Sequence, residues 1–432
     1  MIKLFGSSTL WIVGLTFAFA AGHIDEPYLI SLHGAGAAAL LGTCLIVLIL
    51  LIARAWRKGA SIARCGLVLV WCLPPLLMES AHLTFEARKH SVLHTDVVQA
   101  RTLGRHFLVG YSSIAEVMPL AQKGLIAGIY IARHNMAGRT PEALKAEISA
   151  LQDTRRMAGL APLIVAADQE GGIVSHLSPP LTALPALATL ADLPRNIRAE
   201  RADEFGRIHG RELAELGINQ DFAPVLDLRP KASHNRWDFN TLISQRAISG
   251  DPATVAELGL AYIRGLDAFN VRATVKHFPG LGRVRADTHY FSARLDTPLD
   301  ELEASDWRPF REALTASKAQ LMVGHVTLTA VDPDRPASHS QRVVKGIIRG
   351  KWNYQGVIIT DDLVMGAIYH DNVCTAVVEA LNAGVDLLLV AYDGSQFYRI
   401  FTCASDAFSR NKLDASVLRD SETRLERTFP AD

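Results

Sequence analysis

Eight short runs rich in valine, isoleucine and leucine, separated by amphipathic stretches, fill the chain from about residue 104 onward and restrict its fold more than any other feature. They are His106–Tyr111, Leu125–Ala132, Leu163–Asp168, Asn219–Leu226, Ala273–Phe278, Leu321–Val326, Val357–Asp361 and Asp386–Ala391. Apolar runs of strand length alternating with helical patterns argue for a parallel sheet covered by helices. Thr140-Pro141-Glu142 and Asp251-Pro252 each put a capping side chain before a proline in the first helical turn. After Asp251, Val255, Leu258, Tyr262 and Leu266 recur at helical spacing, which predicts the face turned to the sheet. Eight β-α units in about 330 residues fit one (β/α)8 TIM barrel, over 104–432, and not two smaller domains.

The first eighty residues follow another logic. Leu10–Ala21, Tyr28–Ala53 and Cys65–Met78 are apolar runs. The second is long enough to cross a hydrocarbon core, which takes about 20 helical residues, and ends in Arg54, Arg57 and Lys58. The first ends at His23-Ile-Asp-Glu-Pro27 without a small-x-small cleavage site, so an uncleaved span fits better than a signal peptide. The third contains Pro74-Pro75 and is expected as a short span, a re-entrant piece or an interfacial segment. The expected organisation is therefore a membrane region of two to three transmembrane helices at 1–80, a connector at 81–103, and the barrel. Arg54, Arg57, Lys58 and Arg64 cluster after the second run, so that loop is expected in the cytoplasm. If the third run spans, the barrel lies on the outer side. His33 sits within the second run, where a tolerated polar residue is the plain reading.

Lysine plus arginine equals aspartate plus glutamate at 44 each, so no net field favours nucleic acid as a partner. Five cysteines are too few and too scattered for a disulfide framework or a zinc set. Cys374 and Cys403 can pair in an oxidising compartment, although their spacing does not demand it.

In a barrel of this kind chemistry sits at the carboxyl ends of the strands. Polar residues gather there: Asp168-Gln-Glu-Gly-Gly172 after the third run, Asp227 after the fourth, Lys276-His277 on the fifth, His325 on the sixth, Asp361-Asp362 on the seventh and Asp393 after the eighth. One aspartate at a strand end is usually a cap, whereas carboxylates, a lysine and histidines on one rim suit a polyhydroxylated substrate and glycosidic cleavage. The loop after the fifth run ends in Asp287-Thr-His289. A carboxylate two residues from a histidine can fix its tautomer and support its charged form, as a general acid/base needs, although Asp-x-His alone also fits a surface pair or metal ligands. No further histidine or cysteine cluster supports a metal.

Asp168-Gln-Glu-Gly-Gly172, Phe222-Ala-Pro-Val-Leu-Asp227, Lys276-His-Phe-Pro-Gly280, Asp287-Thr-His289, Asp332-Pro-Asp-Arg-Pro-Ala337 and Thr360-Asp-Asp-Leu-Val-Met365 stand in the order and spacing of bacterial glycoside hydrolase family 3 β-N-acetylhexosaminidases, which the chain resembles over roughly 104–395. The resemblance implies a retaining, two-step hydrolysis without cofactor that removes terminal β-linked N-acetylglucosamine from cell-wall-derived or related glycans. It makes Asp361 the nucleophile, His289 the acid/base and Asp287 its partner, and maps sugar binding to Asp168, Arg246, Lys276 and His277. Two positions depart from the family pattern. His176 stands where an arginine contacts the sugar, and Leu281 replaces a loop histidine. An imidazole does not reproduce a guanidinium fork, so substrate choice is open at His176. The stretch after Leu389 is too short for the second α/β domain of many family members, which favours the hexosaminidase branch. A family 3 β-glycosidase of other sugar specificity, and a non-catalytic membrane-tethered carbohydrate-binding protein, are the competing readings. With the anchor, the implied location is a bacterial inner membrane with the barrel in the periplasm.

Overall fold

The computed structural model describes residues 2–24, 26, 29, 34–59, 61–230, 241–369 and 372–430, so His33 lies outside the described residues. The chain divides into two units, Met1–His94 and Thr95–Asp432.

The first unit contains three long helices, α1 (Ile2–Gly22), α2 (Ala35–Lys58) and α3 (Ile62–Leu93). Both α1 and α2 pack on α3. Their shared core is small: Leu40, Cys44, Leu67 and Trp71. The Trp71 indole nitrogen donates to the Leu10 carbonyl at 3.0 Å. Gly14 makes this approach possible, since a Cβ there would lie 2.8 Å from the Trp71 ring nitrogen. Large apolar residues such as Ile12, Phe19, Ile46, Ile49, Leu50, Leu69 and Leu76 are left exposed on the outer faces. By length and composition α2 and α3 can each cross a membrane. The third apolar run is not a short piece: α3 runs unbroken through Pro74 and Pro75 for 32 residues. The expected connector is likewise mostly helical. Residues 81–93 complete α3, and the helix Val97–Gly104 already belongs to the second unit.

The second unit is a closed barrel of eight parallel strands in sequential order. They are β1 (Phe107–Gly110), β2 (Gly128–Ile131), β3 (Ile164–Ala167), β4 (Gln220–Asp221), β5 (Arg272–Phe278), β6 (Gln320–Val323), β7 (Ile358–Asp362) and β8 (Leu387–Val390). Each coincides with one of the eight runs. β1 pairs on one side with β8, Leu108 beside Leu389, and on the other with β2, Val109 beside Ile129. Alternate residues turn inward, and Leu108, Tyr130, Ile164, Ala166, Phe222, Met322, Ile359 and Leu389 fill the interior. β4 is shorter than its run because Pro224 has no N–H to give the ladder; pairing resumes as a single bridge from Val225 to Lys276.

The caps behave as the sequence predicts. Thr140 accepts from the Ala143 amide at 3.3 Å and Asp251 from the Thr254 amide at 3.0 Å. Val255, Leu258, Tyr262 and Leu266 of the helix Pro252–Asp267 are fully buried. This helix crosses Arg195–Leu216 where Gly206 and Gly265 meet. A Cβ on Gly206 would fall 2.1 Å from the Tyr262 carbonyl oxygen.

One buried carboxylate fastens the end of the barrel opposite the rim. Asp386, just before β8, accepts from Arg349 at 2.6 Å, Arg424 at 2.8 Å, Ser421 at 2.7 Å and the Ile358 amide at 2.7 Å. Asp386→Ala leaves two largely buried guanidinium groups without their partner, and should lower unfolding free energy by about 3–5 kcal/mol. Urea titration followed by tryptophan fluorescence reads this directly, and an unchanged midpoint would exclude the node from the fold's stability.

Candidate active site

The carboxyl ends of β3, β5 and β7 bring two constellations together. The first is a set of alternating charges. Asp168 follows β3, and its carboxylate accepts from the Tyr130 hydroxyl at 2.7 Å and pairs with Lys276 of β5. Lys276 also reaches Glu170 at 2.7 Å, and Glu170 takes a two-pronged contact from Arg246 at 2.6 and 3.0 Å. Arg246 ends the one-turn helix Ile243–Arg246 and donates a further hydrogen bond to the Thr241 carbonyl at 2.9 Å. All four charged side chains are largely buried. Burial alone would raise the Asp168 pKa, but the Lys276 ammonium and the Tyr130 hydroxyl bring its carboxyl well below the usual range.

Hydrogen-bond logic fixes two imidazoles. Arg246 can only donate, so at 3.3 Å it makes His277 Nε2 an acceptor and puts the ring proton on Nδ1. That proton goes to Asp227 at 2.7 Å, and Asp227 is itself held by the His277 and Leu281 amides. Tyr130 spends its single proton on Asp168. His176 Nδ1, at 3.0 Å from the tyrosine oxygen, must then be the donor, which leaves Nε2 as an acceptor. Burial lowers the His176 pKa, keeping the ring neutral.

The second constellation is built around the paired aspartates of β7, which have opposite environments. Asp362 accepts from the Val364, Ala391 and Tyr392 amides at 3.1, 3.0 and 2.7 Å, so its oxygens are occupied. Burial pushes its pKa up to about 6. Asp361 accepts only the Asp362 amide among these, at 2.9 Å. Burial would raise it too, but His277, His325 and His289 around it carry its pKa below the ordinary value. His325 donates from Nε2 to the Asp362 carbonyl at 3.0 Å and accepts from Ser338. Of the two aspartates, Asp361 is the one with an ionised and available carboxylate.

His289 faces it from the loop after β5. Asp287 is fully buried and accepts the His289 ring Nδ1 at 2.9 Å, the His289 amide at 3.0 Å and the Thr241 hydroxyl at 2.9 Å. His289 Nε2 is therefore the nitrogen without a hydrogen-bond partner among the described residues, on a side chain 38% exposed. The loop is less pliant than its glycines suggest. Trp307 donates to the Pro279 carbonyl, Arg283 pairs with Asp306 at 2.8 Å, and the His289 carbonyl accepts from Gly366, just beyond β7.

All eight residues singled out from the sequence, Asp168, His176, Arg246, Lys276, His277, Asp287, His289 and Asp361, thus lie in one connected site. Sequence reasoning did not assign Glu170, Tyr130, Thr241 or Asp362. Glu170 was within reach, since it lies in the Asp168–Gly172 motif, whereas nothing in the local pattern marks Thr241.

Residues 103–427 match the sequence profile of the glycosyl hydrolase family 3 N terminal domain. The chain belongs to glycosyl hydrolase family 3. It is 36% identical over 277 residues to a β-hexosaminidase of Tolumonas auensis, covering 64% of this chain and 78% of that one. A β-hexosaminidase of Pseudomonas aeruginosa is 39% identical over 232 residues, 54% of this chain and 67% of its own. Among solved structures, a family 3 β-N-acetylglucosaminidase of Paenibacillus superposes with TM-score 0.69 at 31% identity, covering 76% of this chain. This chain spans only 61% of that longer protein. A family 3 member from Mycobacterium smegmatis gives TM-score 0.69 at 28% identity, over 79% of this chain and 99% of its own. The barrel is therefore a TIM barrel of a family 3 glycosyl hydrolase similar to β-hexosaminidases.

In this family 3 site Glu170 balances both Lys276 and Arg246. Glu170→Gln keeps the shape and removes the charge, and should cost about 3 kcal/mol of stability. Urea unfolding of the variant beside the parent measures the loss, and equal midpoints would mean that Asp168 alone suffices as counter-ion.

Proposed function

We propose that the chain is a membrane-anchored retaining glycosidase that removes terminal β-linked N-acetylglucosamine from cell-wall-derived glycans. The observation that carries this reading is an available, ionised Asp361 facing an imidazole whose outer nitrogen is directed by a buried carboxylate. In the first step Asp361 attacks the anomeric carbon. The bond to the leaving oxygen breaks as His289 Nε2 hands it a proton, and Asp287 supports the imidazolium that holds that proton beforehand. In the second step His289 takes a proton from water, the water oxygen displaces Asp361 from the sugar, and both residues return to their starting states.

The charged rim holds the sugar. Lys276 retains one N–H beyond those given to Asp168 and Glu170, and the Asp168 oxygens retain lone pairs for hydroxyl protons. His176 adds an acceptor where an arginine would add donors. The β-hexosaminidase relatives and the Paenibacillus β-N-acetylglucosaminidase support N-acetylglucosamine as the sugar.

Residues 1–80 form the anchor in this reading, 81–103 the helical link and 104–432 the catalytic domain. Two helices of spanning length support the anchor. Arg54, Arg57, Lys58 and Arg64 at the α2–α3 junction favour a cytoplasmic turn, from which α3 leads outward to the periplasm. A disulfide between Cys374 and Cys403, joining the helices Val373–Ala383 and Phe397–Ser409, supports the same side, because reducing compartments keep such thiols apart.

Hydrolysis of a chromogenic β-N-acetylglucosaminide beside the matching β-glucoside, with the full chain in detergent, tests the reading. The first should be cleaved with the β-anomer released initially, and Asp361→Asn should lower kcat on the order of 10⁴-fold. Initial release of the α-anomer would refute the two-step mechanism, and preference for the glucoside would refute the sugar. His176→Ala should raise KM roughly tenfold with little change in kcat, the worth of about one hydrogen bond to the ground state and transition state alike. An unchanged KM would remove His176 from the sugar site.

A further inference from the structure

At the end of the barrel away from the catalytic rim, a cleft of about 770 Å³ opens between the starts of β5, β6 and β7 and the last turn of the helix Ala415–Thr428. Five cations line it, Arg272, Arg311, Lys318, Lys351 and Arg427, and no carboxylate does. Two are compensated from behind: Arg272 lies 3.6 Å from Asp267, and Lys351 is paired with Glu303. Arg427 donates to the Gln355 carbonyl. Among the described residues, Arg311, Lys318 and Arg427 have no carboxylate partner within salt-bridge distance. The chain as a whole carries equal numbers of cations and anions, so composition does not force this excess. Trp352 also lines the cleft, although its indole nitrogen is buried away from it.

We propose that this cleft binds a phosphate-bearing anion, separately from the sugar site. Its uncompensated groups are cations, which a group made only of acceptors with more than one negative charge would complete. Guanidinium forks match phosphate oxygens two at a time. The volume is that of a small-molecule site.

Two sources share this chemistry, a soluble phosphate compound and a phospholipid headgroup.

The test uses the full chain in nanodiscs of zwitterionic lipid. Calorimetric titration with inorganic pyrophosphate reads the soluble arm. Amine-reactive labelling of Lys318, compared between zwitterionic discs and discs containing phosphatidylglycerol, reads the lipid arm. The variant R311E/K318E changes two exposed side chains outside the catalytic site and should leave glycosidase turnover intact. The proposal expects binding in one arm, weakened in the variant on the order of 25-fold at about fivefold per cation. Pyrophosphate binding assigns a soluble ligand, and slowed Lys318 labelling only in phosphatidylglycerol discs assigns the headgroup. For that arm the readout in the variant is labelling of Lys351. Absence of both signals, or signals equal in the variant, overturns the site. Because the readouts are binding and labelling, they stand whether or not the sugar assignment does.

Discussion

Closure of the sheet is the constraint on which the rest of the second unit depends. With β1 bonded to both β8 and β2, no barrel strand is left with an open edge, and all eight are paired in parallel around the ring. All eight carboxyl ends then share one rim. Residues separated by nearly two hundred positions, Asp168 and Asp361, come to share that rim without any local sequence signal joining them. Apolar side chains pack the interior around a buried polar cluster of Gln220, Thr274 and Gln320, and the charged groups from the strand ends gather at the rim.

At that rim the chain satisfies opposing demands on neighbouring residues. Burying Asp168, Glu170, Lys276 and Arg246 removes four charges from water, a cost that their mutual contacts roughly offset and do not exceed. What the arrangement provides is position: each cation is held by two carboxylate contacts or by a carboxylate and a carbonyl, and His277 is held in one tautomer from both sides. The adjacent aspartates of β7 make the complementary case. Three amides fill the lone pairs of Asp362 and make it a structural anchor for the strand end, while Asp361 is left with a free face and an electrostatic surrounding that keeps it ionised. Two identical residues in sequence thus acquire different chemistry from their hydrogen bonds, burial and neighbouring charges.

The barrel was legible because most of its strands lie within runs of consecutive apolar residues, buried on both faces and therefore continuous in sequence, which no exposed strand would be. The grouping of polar residues on one rim was legible wherever a residue sits at a strand end within a motif, as Lys276, His277 and Asp361 do. Legibility failed where a role depends on a partner far along the chain. Glu170 gains its importance from Arg246, and Thr241 from Asp287, contacts that only closure of the barrel creates. The N-terminal region shows a different limit. Proline and a charged, histidine-bearing stretch suggested a break and a connector, but a helix already nucleated by a long apolar segment continues through both, because propagation is easier than initiation. The pairing of Cys374 with Cys403 was open for a similar reason: their separation of 29 residues says nothing until two helices are laid side by side.

The two ends of the barrel also differ in how their charges are settled, and the difference bears on what each can bind. On the catalytic rim the cations Lys276 and Arg246 are matched by Asp168 and Glu170, so a ligand meets directed hydrogen-bonding groups with little net field. A neutral, hydroxyl-rich sugar gains from such a surface, since its own groups are donors and acceptors in equal measure. At the other end the cations lining the cleft have fewer carboxylates within salt-bridge distance among the described residues. A sugar would leave those charges uncompensated there. Charge balance, more than shape, therefore separates the ligand classes suited to the two openings of one barrel.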